Sequence, residues 1–375
     1  MTPRERLLAE AAERILLTDG AFGTEIQNWK LTEEDYAGEL NLGYDQKGNN
    51  DILALTNREV ITSITRAYFK AGSDIVSTNT FSANRISQAD YGAEHLVREI
   101  NIAAAAVARG CADYFEQYDD RPRFVAGAIG PTNKTLSLSP DVNDPGYREI
   151  DFDTLKQVYR EQIDALVEGG VDFILIETVF DTLNAKAAIM AAIEAGEALG
   201  IDLPIMLSMT LTDLSGRNLS GHTVEAFWHA VRHARPVTIG LNCSFGAEQL
   251  RPHVAALSKI ADTLIMVYPN AGLPNELGAY DELPAQTAAL VGEWAQAGQV
   301  NILGGCCGST PAHIAAIGRA VAGLPPRAIP VPEVRTRLAG LEADADGGIA
   351  VIPAKAGTQG NKRAVRDSGS RLSPG

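Results

Sequence analysis

The sequence has 375 residues, 45% of them hydrophobic, and a formal net charge of −15. A chain this acidic lacks the basic face that binds phosphate backbones, so we expect no nucleic-acid partner. No apolar run reaches the ~18 residues of a membrane span, and the N-terminal segment mixes both charge signs, unlike a signal peptide. We therefore expect a cytoplasmic protein with reduced thiols and no membrane contact.

Eight short apolar segments rich in Val, Ile and Leu alternate with longer segments of helical periodicity. We predict strands over residues 15–17, 74–77, 124–128, 173–176, 205–208, 238–241, 264–267 and 301–303. We predict helices over residues 58–71, 154–168, 184–198, 284–297 and 311–321, with Thr310 as the N-cap of the last. The strands are mostly continuous rather than alternating in hydrophobicity, which indicates burial on both faces.

Repeated strand–helix units predict an α/β protein with a (β/α)8 TIM barrel over residues 1–330. The alternative is an open doubly wound sheet, which the glycine-rich turn GAFGTE at residues 20–25 superficially favours. Its spacing is GxxG, however, and not the GxGxxG of dinucleotide-binding folds. Long loops over residues 25–51 and 133–151 are expected at the binding face. We predict a short linker or helix over residues 331–342 and a disordered tail over residues 343–375.

Three of the four cysteines follow predicted strands six and eight, and the C-terminal strand ends of a barrel carry its chemistry. Cys243 lies in the segment GLNCS, and Cys306 and Cys307 lie in GGCCG. Three thiolates with one open position are typical of a catalytic zinc site. Such a site favours a soft fourth ligand, a substrate thiol, and therefore alkylation at sulfur. Cys111, in an Ala-rich helical segment, is predicted to be structural.

Two other interpretations of these segments stay open. The glycines around Cys306 could form a phosphate-binding loop, since barrels often bind phosphate after strands seven and eight. Cys243 and one of the adjacent pair could instead be small buried hydrophobic residues. The pair His229 and His233 has helical spacing but no intervening glutamate, and we predict a surface position for it.

Two carboxylates, Asp19 and Glu177, are predicted at the ends of strands one and four, where they could hold an ammonium group. The turn after Asp19 offers backbone N–H groups to a carboxylate. Each side chain could equally be a turn residue or the N-terminal charge of a helix. Asp181 is predicted to be an N-cap.

The segments TDGAFGTEIQ, AGSDIVSTNTFSAN, FILIETVFDTLNAKAA, GLNCSFGAEQLRPHV, YPNAGLPNELGAYDE and NILGGCCGSTPAHI resemble one known family. Together with neighbouring segments they span residues 15 to 327. The chain resembles the zinc-dependent homocysteine S-methyltransferases, specifically the homocysteine-binding N-terminal module of cobalamin-dependent methionine synthase.

The resemblance implies that Cys243, Cys306 and Cys307 bind Zn²⁺ and that the L-homocysteine thiolate is its fourth ligand. It implies that Asp19 and Glu177 bind the homocysteine amino group. The further substrate-binding positions that it implies are Gly20, Ala21 and Phe22 near the carboxylate, and Asn270 at the open zinc position when substrate is absent.

The resemblance further implies methylcobalamin as the methyl donor, carried by another domain or chain, and a cobalamin- and folate-binding methionine synthase chain as the partner. The residues after 330 resemble none of the family's folate-binding, cobalamin-binding or reactivation domains. We therefore expect the complete reaction to need other polypeptides, with the chain as a split subunit or a truncated product. The alternatives are a stand-alone enzyme that uses betaine or S-methylmethionine, and a non-catalytic domain that binds homocysteine or zinc.

Overall fold

The computed structural model describes residues 1–331 and 337–343. The strands are β1 (Leu16–Leu17), β2 (Ile75–Ser77), β3 (Phe124–Ile129), β4 (Phe173–Val179), β5 (Ile205–Met209), β6 (Thr238–Gly246), β7 (Leu264–Asn270) and β8 (Ile302–Leu303). They form one parallel sheet in the order β1-β8-β7-β6-β5-β4-β3-β2. Consecutive strands from β2 to β8 are paired, and β8 pairs with β1. The TIM barrel is therefore confirmed, and the doubly wound alternative is wrong.

The seam between β1 and β2 is closed largely by one carboxylate. Asp74 N–H donates to the Leu17 carbonyl at 2.7 Å, and its Oδ2 accepts from Leu17 N–H at 2.9 Å. The Asp74 side chain is fully buried and pairs with Arg14 and Arg121. An aspartate therefore supplies part of the pairing that short strands cannot make with their own backbones.

The helices are α1 (Pro3–Glu13), α2 (Phe22–Asn28), α3 (Glu33–Ala37), α4 (Leu53–Thr56), α5 (Arg58–Ala71), α6 (Arg85–Gln88), α7 (Val97–Glu116), α8 (Phe152–Glu168), α9 (Thr182–Leu199), α10 (Val224–Val231), α11 (Ala247–Ile260), α12 (Pro284–Gln296) and α13 (Pro311–Val321). The helices predicted over residues 58–71 and 311–321 have these bounds. Two others begin two residues earlier than predicted, because Asp151 and Asp181 cap them. None of the helices in the described part of the chain combines the length and apolar character needed to cross a bilayer.

Buried side chains form two layers, one inside the barrel and one between strands and helices. On β3, Phe124 and Ala126 face the inner cluster, whereas Val125 and Ile129 face the outer one. This alternation follows from the two-residue period of a strand. Leu7 of α1 belongs to the inner cluster, so α1 plugs the N-terminal end of the barrel, and Cys306 packs against the same cluster.

The two long loops differ in content. Residues 25–51 contain most of α2, all of α3 and the start of a 3-10 helix (Asn50–Ile52), whereas residues 133–151 contain no helix or strand. Part of the predicted linker, residues 332–336, and the predicted tail beyond residue 343 lie outside the described residues. Residues 337–343 form a bridge between Ala339 and Ala343, and the Leu341 carbonyl accepts from Thr223 N–H.

A single buried arginine ties the segment after α13 to the end of α11. Arg327 is 4% exposed, and its guanidinium donates to the carbonyls of Ser258, Ala261 and Thr263. Burial away from water lowers its pKa to about 10, which leaves it charged at neutral pH. Its partners are carbonyls that the helix end cannot satisfy by itself.

Replacing this arginine should destabilise the protein. Arg327→Ala leaves several buried carbonyls without a donor, and we expect the free energy of unfolding to fall by about 3 kcal/mol. Urea titration measures the change. Arg319→Ala, at an exposed position on α13, is the matched control and should shift it by no more than about 0.5 kcal/mol. Equal shifts in the two variants would contradict the assigned role.

Candidate metal and substrate site

The barrel brings three cysteine thiols together at the C-terminal ends of β6 and β8. The Sγ atoms of Cys243 and Cys307 are 3.8 Å apart, and all three sulfurs, with that of Cys306, lie within 4.8 Å of one another. A tetrahedral zinc ion with Zn–S bonds of about 2.3 Å separates its sulfurs by about 3.8 Å. Within residues 1–331 and 337–343, no other group of His, Cys, Asp and Glu side chains has this proximity.

The chemistry of the three thiols also suits a cation. Hydrogen bonds from Cys243 and Cys306 lower the pKa of Cys307 to about 3. The same interactions, with burial, raise the pKa of Cys306 well above its ordinary value. Mutual hydrogen bonding and burial therefore oppose the ionisation of all three thiols in the absence of a cation. A soft divalent ion would let all three ionise, so the residues present fit Zn²⁺.

The backbone that presents these groups is strained at two strand ends. Thr178 on β4 and Cys243 and Ser244 on β6 have φ values of 55°, 60° and 60°. Left-handed conformations cost non-glycine residues about 1–2 kcal/mol each, and Thr is β-branched. Both strands shift register at these points, between Ile176 and Val179 and between Asn242 and Gly246. These bulges carry Glu177 and Cys243.

The side chain of Asn242 links the strained end of β4 to the strained end of β6. Its Oδ1 accepts from Thr178 N–H at 3.1 Å and from Ser208 Oγ–H at 2.6 Å. Its Nδ2 donates to Thr178 Oγ1 at 2.8 Å and lies 3.9 Å from Cys306 Sγ. This 1% exposed amide therefore connects β4, β5 and β6 and touches one of the three thiols.

The glycines around the cysteine pair have different physical roles. Gly308 has a φ of +79°, which favours glycine. At Gly304 a side chain would meet Thr18 and the Asp19 carbonyl, and at Gly305 it would meet Ser309. The backbone N–H groups that already donate to protein acceptors are those of Gly304, Gly305, Cys306, Gly308 and Ser309. The loop therefore offers no row of free N–H groups, and the phosphate-loop alternative is not supported.

The two predicted carboxylates lie near each other in the same cavity. Asp19 Oδ2 accepts from both Ser77 N–H and Ser77 Oγ–H at 2.7 Å, and Glu177 Oε2 accepts from Tyr268 Oη at 3.1 Å. Burial raises the pKa of Asp19 to about 6. Burial, followed by the charge of Asp19, raises the pKa of Glu177 to about 8. Two such groups without a counter-charge would be stabilised by a bound ammonium group.

Thiols, carboxylates and the N-terminus of α2 line one cavity of about 1160 Å³. Among the described residues that line it, none is a lysine or an arginine. Gly20, Ala21 and Phe22 line it beside Asp19. The first N–H groups of a helix have no partner within the helix. Ala21 N–H already donates to the Ser309 carbonyl at 3.4 Å, so the donors that this wall offers to a substrate carboxylate are those of Gly20 and of the first turn of α2.

Asn270 is placed differently from the other predicted residues. It ends β7, is 1% exposed, and is not among the residues that line the cavity. Its Oδ1 is buried without a hydrogen-bond partner among the described residues. An orphaned buried acceptor is costly. A metal or water ligand at this oxygen would remove that cost.

Sequence reasoning missed several residues that organise the site. Tyr268, Asn242 and Ser77 support the carboxylates and thiols, and only their positions beside strand ends could have signalled this. His313 connects α13 to the loop between β7 and α12, since its Nε2 lies 2.9 Å from the Glu282 carbonyl. The predicted surface position is found for His233, whereas His229 is half-buried in α10.

The raised pKa of Glu177 should be visible in the pH dependence of stability of the metal-free protein. Its folded-state pKa of about 8 exceeds its ordinary 4.5, so the folded protein binds this proton more tightly. The resulting stability is complete below the unfolded value and is lost as the pH rises through about 8. Glu177→Gln should make the fall in unfolding free energy between about pH 5 and 8 shallower.

Urea titrations across this pH range measure the effect. Glu197→Gln, exposed on α9, is the control and should keep the wild-type slope. A Glu177→Gln slope equal to that of the wild type would show that the carboxyl titrates normally.

Comparison with known proteins identifies the family of the chain. The chain matches the family model described as homocysteine S-methyltransferase over residues 16–321. It is similar to the homocysteine methyltransferase MmuM from Escherichia coli in its oxidized form, with 22% identity, a TM-score of 0.67, and coverage of 85% of this chain and 99% of that chain. The metallated form of MmuM matches with 22% identity, the same coverage and a TM-score of 0.65. At this identity the solved structures support the fold, while the family model, which spans most of the sequence, shows that the chain belongs to the homocysteine S-methyltransferase family.

Proposed function

We propose that this chain transfers a methyl group to the thiol of L-homocysteine to give methionine, as the homocysteine-activating module of a cobalamin-dependent, methyltetrahydrofolate-using methionine synthase. One observation carries the proposal. Three thiols within 4.8 Å of one another share a cavity with a pair of carboxylates. A thiol-binding metal centre beside an ammonium-binding pair matches the two ends of a thiol amino acid.

In this proposal Cys243, Cys306 and Cys307 hold Zn²⁺. When bound, the metal would lower the pKa of the substrate thiol so that it is ionised at neutral pH. Asn242 positions the Cys306 side of the cluster through its amide contact. The unpartnered Oδ1 of Asn270 supports its assignment as an alternative ligand when substrate is absent.

The remaining residues position the amino acid. Glu177 and Asp19 hold the ammonium group, and Tyr268 orients the Glu177 carboxylate by donating to it. Backbone N–H groups over residues 20–22 hold the substrate carboxylate. Because Glu177 is protonated near neutral pH in the empty site, binding of the ammonium group displaces that proton.

Methyl transfer needs no general base once the thiol is ionised. The homocysteine sulfur attacks the methyl carbon, a C–S bond forms, and the donor leaves with the electron pair of the broken bond. The cavity walls hold sulfur and methyl group in line and limit the access of water.

The charge of the cavity bears on the methyl donor. Betaine and folates carry carboxylates, and the residues that line the cavity in the described part of the chain include no lysine or arginine to pair with them. Methylcobalamin, presented by a partner chain, avoids this conflict. S-methylmethionine is the second candidate: it also carries a carboxylate, but its ammonium and sulfonium groups give it a net positive charge. The aromatic side chains of the lining could stabilise the sulfonium; they are Phe22, Phe81, Tyr91, Tyr268 and Tyr280.

We further propose that the protein acts in the cytoplasm. Its four cysteines are all free thiols in the structure. Reduced thiols are the rule in that compartment.

Removing one metal ligand tests the metal centre. Cys306→Ala should lower the zinc content from one ion per chain to well below half and abolish methyl transfer to homocysteine. Zinc is measured by atomic absorption after dialysis, and methionine by chromatography. Cys111→Ala, which alters a buried cysteine on α7, should retain zinc and activity. Full zinc content in Cys306→Ala would contradict the assignment.

The choice of donor is tested with the zinc-loaded protein, homocysteine, and either methylcobalamin or S-methylmethionine. We expect zinc-dependent demethylation of methylcobalamin, followed by its absorption spectrum, in step with methionine formation. Turnover with S-methylmethionine alone would establish the stand-alone enzyme instead. Tight homocysteine binding with no turnover of either donor would indicate a non-catalytic binding domain.

A further inference from the structure

The cavity is larger than one amino acid requires. Its volume of about 1160 Å³ exceeds the roughly 300–1000 Å³ of pockets that enclose drug-sized ligands. The groups assigned to homocysteine lie on β1, β4, β6 and β8. A second polar wall runs from Asn79 to Ser82 after β2 and includes Asp51 from the long loop after β1. The proposed function gives this wall no role.

Asp51 is the unusual residue of that wall. Its side chain lines the cavity and is only 6% exposed. Its Oδ1 accepts from Ser82 N–H at 3.0 Å, and neither oxygen forms an ion pair within the described chain. A neutral asparagine could accept the same hydrogen bond without the cost of burying a carboxyl group. The carboxyl group at this position is therefore better explained by a ligand than by the fold.

The segment that carries Asp51 is held rigidly. Asn49 and Gln88, 1% and 0% exposed, exchange side-chain hydrogen bonds, and Asn49 also donates to Gln46. Asn79 Nδ2 donates to the Asn50 carbonyl at 2.6 Å. A buried amide network on one side and β2 on the other fix the carboxylate before any ligand arrives. Such preorganisation lowers the entropic cost of binding.

We propose that Asp51 forms a donor-side subsite that accepts hydrogen bonds from N–H groups of the methyl donor. The inference rests on the proposed function and deepens it. Two sources supply this chemistry: the primary amides at the edge of a corrin ring and the ammonium group of a sulfonium amino acid. The absence of lysine and arginine from the described lining favours a ligand that directs N–H groups, and not a carboxylate, towards this wall.

Equilibrium binding tests the subsite without turnover. Hydroxocobalamin and S-methylmethionine are titrated separately into the full chain by calorimetry in the absence of homocysteine. In Asp51→Asn the amide oxygen can still accept from Ser82 N–H, but the second carboxylate oxygen is replaced by an N–H donor. We expect one of the two ligands to bind at least about 10-fold more weakly to this variant. Homocysteine affinity, measured on the zinc-loaded protein, should stay within about 2-fold.

Asp90→Asn is the matched control, because Asp90 lines the same cavity but is exposed. It should change each affinity by less than about 2-fold. Equal weakening in both variants would show a general charge effect. Equal weakening of homocysteine and donor in Asp51→Asn would show a structural role. Either result, or unchanged donor affinity, would overturn the proposal.

A second measurement uses only the wild type, so that a misfolded variant cannot obscure the answer. Hydroxocobalamin is compared with aquocobyrinic acid heptamethyl ester, and S-methylmethionine with 4-dimethylsulfoniobutyrate. Each second compound lacks the N–H groups. A preference of at least about 10-fold for one N–H-bearing ligand identifies its source, and equal affinities within both pairs overturn the subsite. Donor binding without methyl transfer would support the subsite while defeating the proposed function.

Discussion

The amide of Asn242 is the constraint on which the site depends. By bonding both the N–H and the hydroxyl of Thr178, it keeps that residue in a left-handed conformation that threonine resists. Asn242 directly precedes Cys243, whose backbone is also in a left-handed conformation. One buried side chain thus keeps Glu177 and two of the thiols in their relative positions. The strain is local, and the buried hydrogen bonds that a regular strand would not need offset it.

Electrostatics give the cavity its selectivity. Acidic side chains and thiols line it, and the described lining includes no lysine or arginine. A divalent cation and an ammonium group would each relieve this accumulation of negative charge. An anionic donor would add to it. The raised pKa values of Asp19 and Glu177 have the same origin, since burial without a neighbouring cation favours the neutral forms of both carboxyl groups.

The barrel positions the site with few residues of its own. Helices pack against the outer face of the strands, and α1 covers the N-terminal end of the barrel. Asp74 links β1 to the start of β2. Arg327 then ties the exit of the last helix to α11. These contacts lie away from the mouth. Variants at Arg327 therefore probe stability, whereas variants at the mouth probe chemistry.

Sequence periodicity by itself determined the eight strands and the main helices, because buried strands and helix caps leave local patterns. The predicted strand ends then identified three cysteines and two carboxylates as candidate site residues. The tertiary structure alone decided that the three sulfurs meet, since that depends on the bulge in β6 and on the pairing of distant strands, which no local sequence pattern shows. It also decided that Gly304 and Gly305 serve close packing rather than phosphate binding. Asp51 and Asn242 were missed for the same reason: their importance comes from burial and from partners distant in sequence, and a single sequence does not show either.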